Sequence, residues 1–120
     1  MLGCALGVAA IFQIDTTYAE PLLFDVAQAE PDHDQRTGEP IVRFRFTLDS
    51  ARKFGEFTKQ NVGRLIEMRL EGKVLYRPVI REPILGGAGQ ISGHFSEPEA
   101  NDIAARLSAG TKIEIEAVAN

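Results

Sequence analysis

A stretch of forty residues, Glu71 to Gly110, most strongly limits what this chain can fold into. Its second half contains Ser96-Glu97-Pro98-Glu99, the pattern of a capping box, in which the serine hydroxyl and the glutamate carboxylate each accept a backbone N–H of the other residue. An apolar stripe follows at i, i+3, i+4 and i+7, formed by Ala100, Ile103, Ala104 and Leu107. Gly110 is suited to the left-handed conformation that ends a helix. The pattern predicts a helix between Ser96 and Gly110 with one buried face.

The first half of the stretch predicts strands. Glu71-Gly72 suits a two-residue hairpin turn between a strand over 64–70 and a strand over 73–81. Pro78 has no N–H for a ladder, so its strand is expected at a sheet edge or at a bulge. After a loop from Glu82 to Gly89, a short strand is predicted over 90–95.

Upstream, periodicity predicts a first strand over 21–29 and a second over 41–48, with Val42, Phe44, Phe46 and Leu48 on the buried face. Asp49 or Ser50 is placed to cap a helix that runs to about Gln60. A last strand is predicted over 112–117. The expected fold class is α+β, in the order β-β-α-β-β-β-α-β, with two helices packed on one face of a mixed or mainly antiparallel sheet.

Composition divides the chain into unequal parts. The apolar run from Leu2 to Phe12, ending near Ala19, predicts a signal peptide over 1–19 although a basic n-region is missing; an apolar N-terminal arm is the alternative. Residues 20–120 are expected to form a single domain with a mobile polar loop over 30–40. Residues 41–120 hold twelve bases and ten acids, which excludes a general nucleic-acid-binding surface.

The segment GKVLYRPVIREPILGGAGQISGHFSEPEANDIAARLSAG resembles the head subdomain in the first periplasmic domain of SecD, the accessory subunit of the bacterial protein-export channel. Phe46-Thr47-Leu48, Thr58 and Asn61-Val62-Gly63 extend the resemblance to about residues 40 to 110. It implies a periplasmic or otherwise exported domain that binds unfolded or secretory polypeptide, with export-channel membrane proteins as further partners. After Gly110 the sequence departs from the family pattern, so we expect a stand-alone, non-spanning domain without the family's proton-driven pumping.

Two groups of residues are candidates for binding polypeptide. The first is a set of arginines on predicted strands: Arg43, Arg45, Arg69 and Arg77. The alternative for these arginines is cross-strand pairing with Glu67, Glu114 and Glu116 on the same face. The second group is the glycine-rich loop and its end: Glu82, Pro83, Ile84, Leu85, Gly86, Gly87 and Gly89.

The residue patterns argue against catalysis. A phosphate-binding glycine loop lies between a strand and a helix N-terminus, whereas a strand follows this loop. Asp32-His33-Asp34 lacks the further ligands of a closed metal site, and His94 is distant in sequence. No catalytic residue, metal or cofactor is therefore predicted. The alternatives to a polypeptide-binding domain are an envelope assembly module that uses an open sheet face and, less favoured, a small hydrolase. A pocket holding one histidine with two carboxylates would favour the enzyme.

Overall fold

The computed structural model describes residues 21–118, so the signal peptide or arm predicted over 1–19 lies outside the described residues. Two helices and seven strands follow one another along this part of the chain: β1 (Leu22–Phe24), β2 (Val26–His33), β3 (Pro40–Phe46), α1 (Leu48–Gln60), β4 (Ile66–Leu70), β5 (Lys73–Tyr76), β6 (Ala88–Ser92), α2 (Glu97–Ser108) and β7 (Ile113–Ala117). All strand pairs are antiparallel. The α+β class is confirmed.

The strands form two sheets, so the prediction of a single sheet is wrong. One sheet has four strands in the order β1-β7-β4-β5, and the other has three in the order β2-β3-β6. The first predicted strand is divided at Asp25, where the chain leaves one sheet for the other. The Asp25 N–H donates to the Ser50 hydroxyl at 2.7 Å, and its C=O accepts from the Thr47 N–H at 3.0 Å. These bonds to the start of α1 fix the crossing point.

The polar connector expected over 30–40 is shorter than predicted. Residues 30–33 belong to β2 and Pro40 belongs to β3, which leaves a tight turn over 34–39. The Asp34 carboxylate holds this turn by accepting from the N–H groups of Arg36 at 2.8 Å and Thr37 at 3.2 Å. β2 lies at a sheet edge, where Pro31 and charged side chains are tolerated because only one side of the strand must pair.

The hairpin between β4 and β5 is confirmed. Glu71 and Gly72 both have positive φ, 51° and 85°, as a type I′ turn requires. β5 lies at the edge of its sheet, in agreement with the presence of Pro78 downstream. The strand ends at Tyr76, earlier than predicted, and beyond it Val79 makes only an isolated bridge to Leu65.

Helix α2 has the ends that the sequence predicts. The Ser96 hydroxyl accepts from the Glu99 N–H at 3.2 Å, and the Glu99 carboxylate accepts from the Ser96 N–H at 2.8 Å. This second bond is the main reason that the pKa of Glu99 lies below its usual value. At the other end Gly110 has φ 112°, and the N–H groups of Gly110 and Thr111 bond to the carbonyls of Leu107 and Arg106 in a Schellman arrangement.

Replacing Ser96 with alanine is expected to lower the free energy of unfolding by about 1 kcal/mol, because the Glu99 N–H loses its acceptor. Urea unfolding of the variant measures the difference. Asn101→Ala, at an exposed position of the same helix, is the comparison for a polar side chain outside the cap. A midpoint equal to that of the parent in Ser96→Ala contradicts the role of the box.

Helix α1 begins earlier than the sequence indicated. Thr47 is the N-cap, and its hydroxyl accepts from the Ser50 N–H at 3.3 Å, so the prediction of Asp49 or Ser50 is wrong. Leu48 is consequently the first helical residue instead of the last inward residue of a strand. Its exposed fraction is 80%.

One hydrophobic core joins both sheets and both helices. All four residues of the α2 stripe are buried, as predicted, and α2 packs against β2 and β3. Phe24 of β1 lies with its ring centroid 5.4 Å from that of Phe46 in β3 and 5.5 Å from that of Phe54 in α1. Phe24 therefore connects the four-stranded sheet to the three-stranded sheet and to α1.

Candidate polypeptide-binding surface

The four candidate arginines do not share one face, because they lie on different sheets. Arg69 lies in β4 of the four-stranded sheet, Arg77 directly follows β5 of the same sheet, and both form a network with glutamates. Arg69 Nη2 is 2.7 Å from Glu67 Oε1 and 2.8 Å from Glu116 Oε1, and Arg77 Nη2 is 2.6 Å from Glu67 Oε2. The hydrogen bonds donated by Arg77 and then Arg69 lower the pKa of Glu67. The hydrogen bonds that Arg69 donates to Glu116 and Glu67 raise the pKa of Arg69. These two arginines are neutralised by their neighbours.

The other two arginines lie on the outer face of β3 in the three-stranded sheet. Arg43 Nε is 2.6 Å from Asp32 Oδ2, an ion pair across to the edge strand β2. Arg45 is exposed and lies between Gln28 of β2 and Ala88 of β6. Within residues 21–118 no carboxylate lies within ion-pair distance of Arg45. Arg45 is the candidate arginine whose charge remains available to a partner.

The glycine-rich loop is held firmly against helix α1. The Ile84 N–H donates to the hydroxyl of Thr58, a fully buried residue, at 2.9 Å. Gly87 has φ 72° and packs on α1 so closely that a Cβ atom there would lie 2.6 Å from Ala51 Cβ. The Gly87 C=O accepts from the Phe46 N–H at 2.8 Å. Three contacts thus connect the loop to α1 and to the end of β3.

The predicted loop therefore divides into exposed and packed residues. Glu82, Pro83 and Gly86 are exposed, Ile84 and Gly87 face α1, and residues 88–89 already belong to β6. Gly89 lies under the Phe44 ring, where a Cβ atom would come within 2.8 Å of a ring carbon. Gly89 therefore allows close packing within the sheet and does not line a surface loop.

Two exposed leucines lie in this loop and at the start of α1. Leu85, in the loop, has an exposed fraction of 69%, although Ile84 before it and Gly87 two residues after it are anchored. Leu48 starts α1 two residues after Phe46, whose N–H anchors the loop. Sequence reasoning missed Leu48 because it was assigned to a buried strand face; the available signal was Thr47, a good capping residue directly before it. We call Leu48 and Leu85 the leucine pair.

Replacing Gly87 with alanine is expected to lower the free energy of unfolding by about 1–3 kcal/mol, because the new methyl group meets Ala51 and the positive φ strains any L-residue. Gly86→Ala is a matched control, since a Cβ atom there has no neighbour within 4 Å. Thermal unfolding of both variants measures the difference. Equal midpoints in the two variants contradict the close packing of the loop on α1.

A cleft of about 520 Å³ between β5 and α2 meets the compositional criterion for an enzyme, since His94 lines it together with Glu71, Glu99 and Asp102. Each carboxylate already has a structural partner. Glu99 accepts from the Ser96 N–H, Asp102 Oδ2 is 3.0 Å from Arg106 Nε, and Glu71 forms an ion pair with the same arginine. The lowered pKa of Glu99 is the opposite of what a general acid needs at neutral pH. Within residues 21–118, no group of three or more His, Cys, Asp or Glu side chains lies close enough together to hold a metal ion.

Fold and surface together define a small α+β domain with two antiparallel sheets, whose distinctive surface is an anchored loop beside exposed leucines. The family model described as "SecDF, P1 head subdomain" matches residues 24–111. The chain belongs to this family.

Relatives and a solved structure agree with the family assignment. The protein translocase subunit SecD of Thermobaculum terrenum is 40% identical over 100 residues, which are 82% of this chain and 19% of that protein. SecDF of Thermus thermophilus is 42% identical over 87 residues, 72% of this chain and 12% of that protein. A structure of SecDF, described as a membrane component that enhances protein export, matches with a TM-score of 0.68 and 38% identity over 80% of this chain and 44% of that one. The chain thus spans about a fifth or less of the length of these two relatives. No helix within residues 21–118 is long and apolar enough to cross a membrane.

Proposed function

We propose that this domain binds unfolded or secretory polypeptide during protein export, on the periplasmic side of the membrane and near membrane proteins of the export channel. The relatives are named as protein translocase subunits, which supports a role in protein export. The observation that supports binding is the leucine pair, which is held in solvent beside an anchored loop. A rigid apolar surface loses little conformational entropy when it binds. Most of the conformational entropy lost on binding is therefore that of the partner.

The expected binding is weak and tolerant of sequence. An unfolded partner loses conformational entropy on being ordered, so we expect a Kd in the micromolar range or weaker. Arg45 adds a charge preference: acidic polypeptide segments should bind better than basic ones, and salt should reduce the difference. No step of this proposal needs a catalytic residue.

A titration of a labelled, reduced, unfolded secretory protein with the full-length chain tests the proposal. Leu48→Ser/Leu85→Ser should weaken binding about tenfold or more, because each exposed leucine buries apolar area in the complex. Val74→Ser/Val79→Ser is a matched control, since both valines are also exposed, at 41% and 45%, but lie near the four-stranded sheet. Arg45→Glu should abolish the preference for acidic segments, and Arg45→Lys should keep it.

No binding of the unfolded protein at roughly 500 μM would exclude the proposal. The assembly role would then be the remaining interpretation. Equal losses of affinity in the leucine and valine variants would also contradict the proposed binding surface, because the leucine pair would then have no special part in binding.

A further inference from the structure

The β6 edge of the three-stranded sheet presents a row of main-chain groups that have no partner among residues 21–118. The bond from the Phe46 N–H to the Gly87 C=O shows that Gly87 faces β3. Because successive residues of a strand face opposite edges, residues 89 and 91 also face β3, and the main chain of Ala88, Gln90 and Ser92 faces away from it. Within residues 21–118, no hydrogen bond reaches the N–H or C=O groups of these three residues.

The opposite edge of the same sheet, β2, is closed. Pro31 has no N–H to offer, and the Ala29 C=O accepts from the Ser108 hydroxyl at 3.1 Å. The His33 N–H is occupied by the Asp32 carboxylate at 2.8 Å. Proline and local side-chain bonds of this kind are how proteins prevent another chain from pairing with an edge.

The edges of the four-stranded sheet are also protected. β1 has only three residues, and the Leu23 C=O accepts from the Lys53 ammonium. β5 carries a register shift opposite Met68 and Arg69, and it begins with a lysine. Short length, bulges and lysines all make an edge a poor template.

From Ala88 to Gln90, strand β6 has none of these protections within the described residues. The other end of the strand is close to β5, since a Cβ atom at Gly93 would lie 3.0 Å from the Leu75 C=O oxygen. The five residues of β6, Ala88 to Ser92, pair with β3 without a register shift and include neither proline nor a charged side chain. It begins directly after the anchored loop that carries Leu85. An open, regular edge next to exposed apolar side chains is the geometry that peptide-binding domains use for strand addition.

We propose that an extended segment of non-native polypeptide binds by pairing with β6 as a fourth strand, in the order β2-β3-β6-polypeptide. This inference rests on the proposed function and names the site and mode of binding. Three residues with one donor and one acceptor each supply at most six main-chain hydrogen bonds. Since these bonds ignore side-chain identity, they account for binding with little sequence preference. Arg45, one strand behind β6, favours acidic side chains on the outer face.

A pair of variants at one position tests the mode of binding. Gln90→Pro removes an outward N–H without removing a bond to β3, whereas Gln90→Ala shortens the same side chain and keeps the N–H. In the full-length chain, Gln90→Pro should weaken binding of the unfolded secretory protein about tenfold, and Gln90→Ala should leave it within about twofold. Equal affinities of the two folded variants overturn strand addition and leave the proposed function standing.

If Gln90→Pro does not fold, modified peptides provide a second test of strand pairing. A strand pairs through alternate residues, so a peptide from the secretory protein that is N-methylated at every second residue keeps one usable edge and should still bind. N-methylation of consecutive residues blocks both edges and should abolish binding. Binding that survives consecutive methylation overturns the proposal.

Amide hydrogen exchange identifies what occupies the edge. In the free chain the amides of Ala88, Gln90 and Ser92 should exchange rapidly, and adding the peptide should slow all three while leaving Ala29 on the closed edge unchanged. Slow exchange in the free chain overturns the proposal, because another part of the chain or a second copy would then occupy β6. Sedimentation at several concentrations distinguishes those two cases.

Discussion

Phe24→Ala is expected to lower the free energy of unfolding by about 3–5 kcal/mol, the largest effect that we predict for a single substitution. The side chain is fully buried and touches rings from β3 and α1. Its removal leaves a cavity where the two sheets meet, and a densely packed core relaxes only partly around such a cavity. Urea unfolding followed by circular dichroism measures the change.

Leu23→Ala is the control for Phe24→Ala, because the neighbouring leucine is 47% exposed. Its expected cost is a few tenths of a kcal/mol, about 0.5 or less. We also expect Phe24→Ala to unfold in a single transition, since the core is shared by both sheets. Two separate transitions would mean that the sheets are independent units and that Phe24 does not connect them.

Leu107→Ala is expected to lower the free energy of unfolding by about 2–5 kcal/mol. Leu107 is fully buried on the inward face of α2, the helix that packs on β2 and β3. Substitution removes most of the apolar contact of the last helical turn without affecting the capping box. The same urea measurement applies, with Leu85→Ala as the comparison, because Leu85 is exposed and its loss should cost little.

A Leu107→Ala midpoint equal to that of the parent would contradict the packing of α2 on the three-stranded sheet. If Leu85→Ala proved equally destabilising, Leu85 would belong to the core. The leucine pair would then not be available to a partner.

Features fixed by neighbouring residues were predictable from the sequence. The capping box at Ser96, the positive φ at Gly110 and the turn at Glu71-Gly72 all depend on contacts within a few residues. The buried stripe of α2 follows from helical periodicity, which needs no knowledge of the partner surface. These elements were therefore confirmed with nearly the predicted residues.

The division into two sheets was not predictable in this way. It depends on Asp25, a residue inside a continuous strand pattern, whose main chain bonds to the start of α1 more than twenty residues away. The prediction that the four candidate arginines share one face failed for the same reason, because residues on two different sheets do not share a face. Thr47, Asp49 and Ser50 are all capable of capping a helix, and only the tertiary structure selects Thr47.

The candidate surface was predicted in part. The sequence indicated the loop around Leu85 as a binding element, and the structure adds Leu48 and the open edge of β6. Thr58, a polar residue on the inward stripe of α1, was a signal that the loop is anchored, since a buried hydroxyl needs partners. Strand pairing at β6 could not be inferred, because which edge remains free depends on the whole sheet order.

Chemical-shift mapping by NMR during a titration with the unfolded secretory protein tests the central claim most directly. We predict changes that are confined to Arg45, Leu48, Leu85 and the β6 residues 88–92, with little change at Arg69 and Arg77 on the neutralised face. The same protein in its folded form should produce no changes at equal concentration. Changes centred on Arg69 and Arg77, or equal changes with the folded protein, would contradict a polypeptide-binding surface formed by the leucine pair and β6.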